Sequence, residues 1–319
     1  MVSGKIGGAP PRAFGLAPAA AMCALAMAAA GCGSSGSDGK ISGGTSTAAT
    51  ATTATTVDQA ARKLLPADVT ARNTLRVATM LDWPPFTYKK AGSSTPTGID
   101  IDLITAISKT LGVKPVITNL ADGGWIPGIQ NGKFDVAVSQ LAISPERAAV
   151  VGFVDYIGNP LGLMVRQVDA DKIDPTDLCG QTLVGTTGTG PLSFGRKYSK
   201  EQCVANGKPA IKFQVYGDSG TTVLSLANGR GAGFLVDNAV GTYTAKTTNK
   251  KLIMDEGTVP DSATRSGIAF PKQQPAIGDA VRAALVTMAK NGSYRKILES
   301  WDVSAEALTP EQISATESS

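Results

Sequence analysis

The sequence predicts an α/β protein of two lobes, each a mostly parallel sheet flanked by helices. Three observations carry that expectation. From Leu75 onward, strand-length apolar runs alternate with segments of helical period. A similar order of strand, turn, helix and strand begins again at Leu183. The chain has 319 residues, enough for two domains of ordinary size.

The elements follow in order. Val57 to Leu65 reads as a weak, short helix stopped by Pro66. Leu75 to Ala78 is a short strand. Gly98 precedes a helix in which Leu103, Ile107 and Leu111 share one face, and Gly112 stops it. Val113 to Ile117 is a second strand, Trp125 to Gln130 a short helix ending at Asn131-Gly132, and Phe134 to Ser139 a third strand. This β-α-β-α-β rhythm implies a parallel sheet with helices on its faces. In the second unit, Leu183 to Thr187 is a strand, Thr221 to Leu226 a helix, and Gly233 to Asp237 a closing strand. Gln130-Asn131-Gly132-Lys133 before the first closing strand parallels Ala227-Asn228-Gly229-Arg230 before the second. Two lobes of related build are expected. Ile277 to Lys290 carries Val281, Leu285 and Met288 on one face, and a further helix runs from Tyr294 to Trp301. The tail after Val303 is polar and is expected to be partly disordered.

The N-terminus reads as an export leader over residues 1–31. Lys5 and Arg12 supply a positive region, and Ala13 to Ala30 is apolar and alanine-rich. Ala29-Ala30-Gly31-Cys32 resembles a bacterial lipobox, which implies that Cys32 becomes the lipid-modified first residue of the mature chain. The alternative is an ordinary cleaved leader with a chance cysteine. Residues 33 to about 56 are mostly Gly, Ser, Thr and Ala. Such a run buries too little surface to offset its ordering entropy and reads as a flexible tether. The expected division is leader 1–31, lipidated N-terminus and tether 32–72, first lobe 73–159 plus 268–303, second lobe 160–267, and polar tail 304–319.

Composition removes several function classes. The formal charge is +4 and Lys5 and Arg12 fall in the leader, so the remainder is nearly neutral. No basic stripe of a nucleic-acid binder is visible. Histidine is absent, which excludes Ser-His-Asp and Cys-His catalysis and any His-ligated metal. Cys179 and Cys203 lie in the folded part at a spacing unsuited to a zinc ribbon, with no second pair. In an exported chain a Cys179–Cys203 disulfide is expected; the alternative is two buried thiols. No cofactor is implied.

A free amino acid offers a carboxylate and an ammonium a few ångströms apart, and both lose water on binding. A planar guanidinium donates two parallel hydrogen bonds to the carboxylate, and a carboxylate suits the ammonium. In open α/β sheets ligands sit beyond the carboxyl ends of strands. This chain places Arg147 after the strand that ends at Ser139, and Asp237 at the end of the strand from Gly233.

At these residues a resemblance emerges. Gly132-Lys133-Phe134-Asp135, Ile143-Ser144-Pro145-Glu146-Arg147 and Val151-Gly152-Phe153-Val154-Asp155-Tyr156 resemble the polar amino-acid family, family 3, of bacterial periplasmic solute-binding proteins. So do Trp83-Pro84-Pro85-Phe86, Gly98-Ile99-Asp100-Ile101-Asp102-Leu103 and Asn291-Gly292-Ser293-Tyr294. The similarity runs from about Leu75 to Val303. It implies the type II periplasmic-binding-protein fold, with lobes joined near Gly158 to Leu161 and again near Ser262 to Gly267. It implies that Arg147 clamps the ligand α-carboxylate and Asp237 takes the α-ammonium. It places Ser139 and Ala142 in a loop of hydroxyl and backbone contacts, Trp83 on the ligand side chain, and Thr189 in a second-lobe anion loop. The chain departs from the family where many members carry an acid near the end of the first strand: it has Met80, with Asp82 two residues on. Gln140 stands where a serine is common, and Asp122-Gly123-Gly124-Trp125 where an aromatic is common.

Plainer readings exist for each residue. Arg147 is also compatible with a structural ion pair, Asp237 with a helix N-cap, and Trp83 with surface packing. Asp100 and Asp102 are compatible with the preference of helix starts for acids. Gly188-Thr189-Gly190 lacks the Gly-Lys-Ser/Thr of a nucleotide loop. The expectation is therefore a monomeric, non-enzymatic lipoprotein on the outer face of the bacterial cytoplasmic membrane. It captures an amino acid and delivers it to an ABC importer permease with its ATPase. A secreted dehydratase-like enzyme on the same fold, or a ligand sensor for a receptor, is the alternative.

Overall fold

The structure, a computed structural model, describes residues 56–120, 124–170, 172–248, 251–255, 259–262 and 264–315. The leader, the lipobox with Cys32, nearly all of the Gly/Ser/Thr/Ala tether and Asp122 lie outside the described residues.

The chain enters through two short helices, α1 (Gln59–Lys63) and α2 (Ala67–Arg72). Asp58 starts α1 by accepting hydrogen bonds from the backbone N–H groups of Ala60 and Ala61, which satisfies donors the helix leaves open. Strand β1 (Thr74–Thr79) follows, then a small antiparallel sheet of β2 (Asp82–Trp83), β3 (Thr87–Lys89) and β4 (Pro96–Thr97). Helix α3 (Ile99–Thr110), β5 (Lys114–Asn119), α4 (Trp125–Gln130), β6 (Val136–Ala137), α5 (Pro145–Ala148) and β7 (Gly152–Asn159) complete the outward half of the first lobe. In α3 the fully buried Ile99, Leu103, Ile104 and Ile107 face the sheet. Each such burial contributes roughly 1.5–3 kcal/mol.

Pro160 alone separates β7 from β8 (Leu161–Arg166), which opens the second lobe. There follow β9 (Thr182–Thr186), α6 (Gly190–Tyr198), β10 (Lys212–Tyr216), α7 (Ser219–Ala227), β11 (Gly233–Asp237), α8 (Asn238–Thr247) and β12 (Leu252–Met254). The chain returns in β13 (Thr264–Phe270) and ends with α9 (Pro275–Lys290), α10 (Ser293–Ser300) and α11 (Pro310–Ser314).

The fold is a two-lobed α/β architecture, and its two five-stranded sheets have the same plan. Their orders are β5-β1-β6-β13-β7 and β10-β9-β11-β8-β12. In each, three strands are parallel, as the β-α-β-α-β rhythm requires. Beside them one strand, β13 or β8, runs antiparallel because it arrives directly from the other lobe, and the edge strand, β7 or β12, pairs antiparallel with it and so runs with the first three. Both sheets are thus mixed. Residues 264–267, expected in the second lobe, pair with β7 from Thr264↔Asn159 onward and belong to the first sheet. The return crossing therefore falls at the start of the expected Ser262 to Gly267 stretch, ahead of the 267/268 boundary.

The polar tail also differs from expectation. Residues 304–315 fold back as a 3₁₀ turn (Ser304–Glu306) and α11, which starts on a reciprocal Thr309–Gln312 cap. Ile313 is fully buried, and Leu308 is nearly so, in the core of the first lobe. Two well-placed apolar side chains anchor a segment whose average polarity hides them. In the second lobe Cys179 and Cys203 form a disulfide, with Cα atoms 5.5 Å apart. Among the described residues, no helix is long and apolar enough to cross a membrane.

Candidate ligand-binding site

A cleft of about 510 Å³ opens between the lobes, at the carboxyl ends of β6 and β11. That is the position where α/β sheets leave backbone groups and side chains free for ligands. It brings together Arg147, Asp237, Ser139, Gln140, Ala142, Trp83 and Thr189, all anticipated from sequence. Asp82 is not among the lining residues; it lies exposed on β2. Its chain neighbour Trp83 takes the place beside the cleft.

Arg147 sits in the single turn of α5, which Ser144 caps through the Arg147 N–H. Its Nη1 donates to the Ala142 carbonyl at 2.9 Å, and its guanidinium lies 5.6 Å from the Trp125 ring centroid. These contacts aim the guanidinium and leave most of its N–H groups open. No carboxylate among the described residues pairs with it. The ion-pair reading of Arg147 therefore has no partner in the described structure.

Asp237 ends β11 at the N-terminus of α8, yet its side chain makes no capping hydrogen bond. It is turned instead toward Asn159, whose side chain bonds it. Burial pushes its carboxyl up to about 6, and the Asn159 bond opposes that rise. A carboxylate so placed gains from any cation that enters the cleft.

The floor between these charges is a polar relay. Gln140 holds a left-handed backbone, φ 45°, which costs a non-glycine residue free energy and needs support. Its N–H donates to the Asp100 carboxylate at 2.8 Å. Its Nε2 donates to Asn159 Oδ1 at 2.8 Å, and its Oε1 accepts from the Trp83 indole N–H. Asp100 is wholly buried and also accepts from the Tyr156 hydroxyl at 2.6 Å; burial raises its carboxyl to about 7. Besides standing at a helix start, it supports the Gln140 turn from beneath.

Ser139 lines the cleft, but its hydroxyl is bonded to Thr87 Oγ1 at 2.9 Å and to the Met80 carbonyl at 3.3 Å. Thr189 caps α6: its hydroxyl donates to the Thr186 carbonyl at 2.8 Å and accepts the Leu192 N–H at 3.4 Å. What it offers the cleft is backbone, with Gly188 and Gly190 alongside.

Sequence reasoning missed Asn159, Asp100 as a support, and the lining residues Phe194, Val223 and Val240. Asn159 carried one signal, an amide directly before Pro160 between two apolar strands. The apolar lining carried none, because such side chains pattern like core.

Residues 75–304 match the profile of the bacterial extracellular solute-binding proteins, family 3. The chain is 29% identical over 222 residues to ABC transporter arginine-binding protein 1 of Escherichia coli (strain K12), covering 69% of this chain and 86% of that protein. It is 25% identical over 234 residues to the L-cystine-binding protein TcyJ of the same strain, covering 73% and 84%. Among solved structures, an ancestral cationic amino acid solute binding protein superposes with a TM-score of 0.62 at 28% identity, covering 73% of this chain and 97% of that one. An ancestral arginine-binding protein bound to arginine gives a TM-score of 0.55 at 30% identity, covering 72% and 98%.

Proposed function

Since the chain belongs to the bacterial extracellular solute-binding proteins of family 3, we propose that it captures a free amino acid between its lobes and delivers it to an ABC importer. One observation carries this reading. Each lobe contributes one open charge to the same cleft, Arg147 from the first and Asp237 from the second. A zwitterion satisfies both at once. Its carboxylate takes the guanidinium N–H groups and the backbone N–H groups of the Gly188–Gly190 turn, and its ammonium takes Asp237. Charge-assisted hydrogen bonds at about 1.5–3 kcal/mol each reach the roughly −8 kcal/mol of micromolar binding with three or four contacts.

The two charges sit on opposite lobes joined at 159–161 and by the segment before Thr264, so a bound zwitterion favours closure by hinge motion. The closed form is the surface an importer permease with its ATPase reads. The relatives named for arginine and cystine binding support an amino-acid ligand. The leader would direct export, and a lipid on Cys32 would then hold the protein on the outer face of the membrane, with the tether supplying reach. Calorimetry on the mature protein against the common amino acids tests the pocket. Arg147→Ala is expected to weaken the best ligand by two orders of magnitude or more; near-normal affinity in that variant refutes the pocket as drawn.

A further inference from the structure

The cleft balances its charges and is otherwise largely apolar. Among the described lining residues Arg147 and Asp237 are the only ionisable ones. On the reading above both are spent on the ligand backbone. Three acids close to the cleft do not line it. Asp218 caps α7, accepting from the Thr221 N–H and hydroxyl at 2.8 Å each, and its neighbour Ser219 faces the cleft instead. Asp100 is enclosed beneath Gln140. Asp82 lies off the wall.

Uncharged polar groups such as Thr186, Ser219 and Thr244 also line the remaining wall, and its apolar part includes Met80 from the first lobe and Phe194, Val223 and Val240 from the second. These four apolar residues are only half-buried, so they hold apolar surface that a ligand side chain can take out of water. A third ligand charge entering here would lose its hydration with no counter-charge among the described lining residues to meet it. Discrimination of this kind works by leaving the wrong ligand unpaired.

We infer that the ligand is an amino acid with an uncharged, predominantly apolar side chain, lodged against Met80 and Phe194 and not held by a side-chain ion pair. This rests on the amino-acid reading of the cleft and departs from the arginine named for several relatives.

The experiment is competition calorimetry on the mature protein, stripped of bound solute by unfolding and refolding. The panel is methionine, leucine and phenylalanine against arginine, lysine, glutamate and glutamine. At least one of the first three is expected to bind tenfold or more tighter than every member of the second group. Phe194→Ala is expected to weaken that ligand about tenfold while changing alanine affinity less than threefold. Met80→Asp is expected to narrow the gap to arginine by tenfold or more. If arginine, lysine, glutamate or glutamine binds tightest and Arg147→Ala still removes it, the inference is overturned and the amino-acid pocket stands. If no amino acid binds at all, the pocket reading falls, and the inference with it.

Discussion

Asp237 shows how one residue ties stability, charge and binding together. Its carboxyl is raised to about 6 by burial, and only the Asn159 side chain and local backbone oppose the rise. An ammonium held against the ionised carboxylate must lower that value in the complex. The sign follows from linkage: affinity is full above pH 6 and is lost as pH falls through about 6, where the free protein takes up a proton that the complex excludes. We expect the dissociation constant to rise by up to tenfold per pH unit below that point. Asp237→Asn should weaken binding at pH 7.5 and flatten the profile between pH 5 and 7; an unchanged low-pH limb would detach Asp237 from the ammonium. The sequence singled out Arg147 and Asp237 by their place after strands together with the family resemblance, and both line the cleft. Asn159 and Asp100 were not legible there. Their importance depends on Gln140 taking a left-handed turn above them, and a linear pattern does not encode that.

At the scale of elements, the helices and most strands followed from periodicity. Trp125–Gln130 and Gly233–Asp237 fall on the predicted bounds, and β1, β9, α3 and α9 lie within two residues or so of theirs. The third strand does not: Phe134 to Ser139 reads as six residues, but only Val136–Ala137 pair as strand. Asp135 and Val138 flank it with single backbone hydrogen bonds to the Arg76 and Ala78 carbonyls, and Ser139 leads into the Gln140 loop. Strand direction was also only half legible, since β13 and β8 cross between lobes and arrive antiparallel. The disulfide joins the segment before β9 to the π-helical turn Ser199–Cys203 after α6, closing a loop of 24 residues by sequence separation. Chain-entropy arguments give such a loop about 3 kcal/mol of stabilisation. We expect the Cys179→Ser/Cys203→Ser variant to lose roughly that amount in denaturant unfolding. Its ligand affinity should stay within threefold, because neither cysteine lines the cleft.

In the whole molecule the C-terminal segment is what both lobes share besides the two crossings. Its far end is anchored in the first lobe by Leu308 and Ile313, while Tyr294 donates its hydroxyl hydrogen to the Tyr156 carbonyl at 2.6 Å and accepts the Leu308 N–H at 3.0 Å. Its near end reaches the second lobe, where Glu306 Oε1 accepts from Asn238 Nδ2 at 3.0 Å. Asn238 in turn donates its backbone N–H to the carbonyl of Pro160, the residue between β7 and β8, at 3.0 Å. The Glu306 carbonyl presses on Gly158, where an added Cβ would come within 3.3 Å. The Glu306 side chain is almost fully buried, and its Oε2 has no partner. Burial, offset by the Asn238 bond and increased by Asp237, raises it to about 7. A carboxyl raised on folding makes the folded state the better proton binder between its unfolded value and about 7. Stability is therefore lost as pH rises through that window, and the cost is complete above pH 7. Glu306→Gln keeps the acceptor for Asn238 and removes the charge. We expect it to be more stable than the parent by on the order of 1–3 kcal/mol at pH 8, with the gap closing toward pH 5. Asp100 titrates in both proteins and cancels in the comparison, whereas Asp237 repels Glu306, so thermal or urea unfolding at these two pH values reads the Glu306 charge together with that repulsion. A gap of the same size at both would mean that the residue acts through packing and hydrogen bonding, and not through a charge confined beside the hinge.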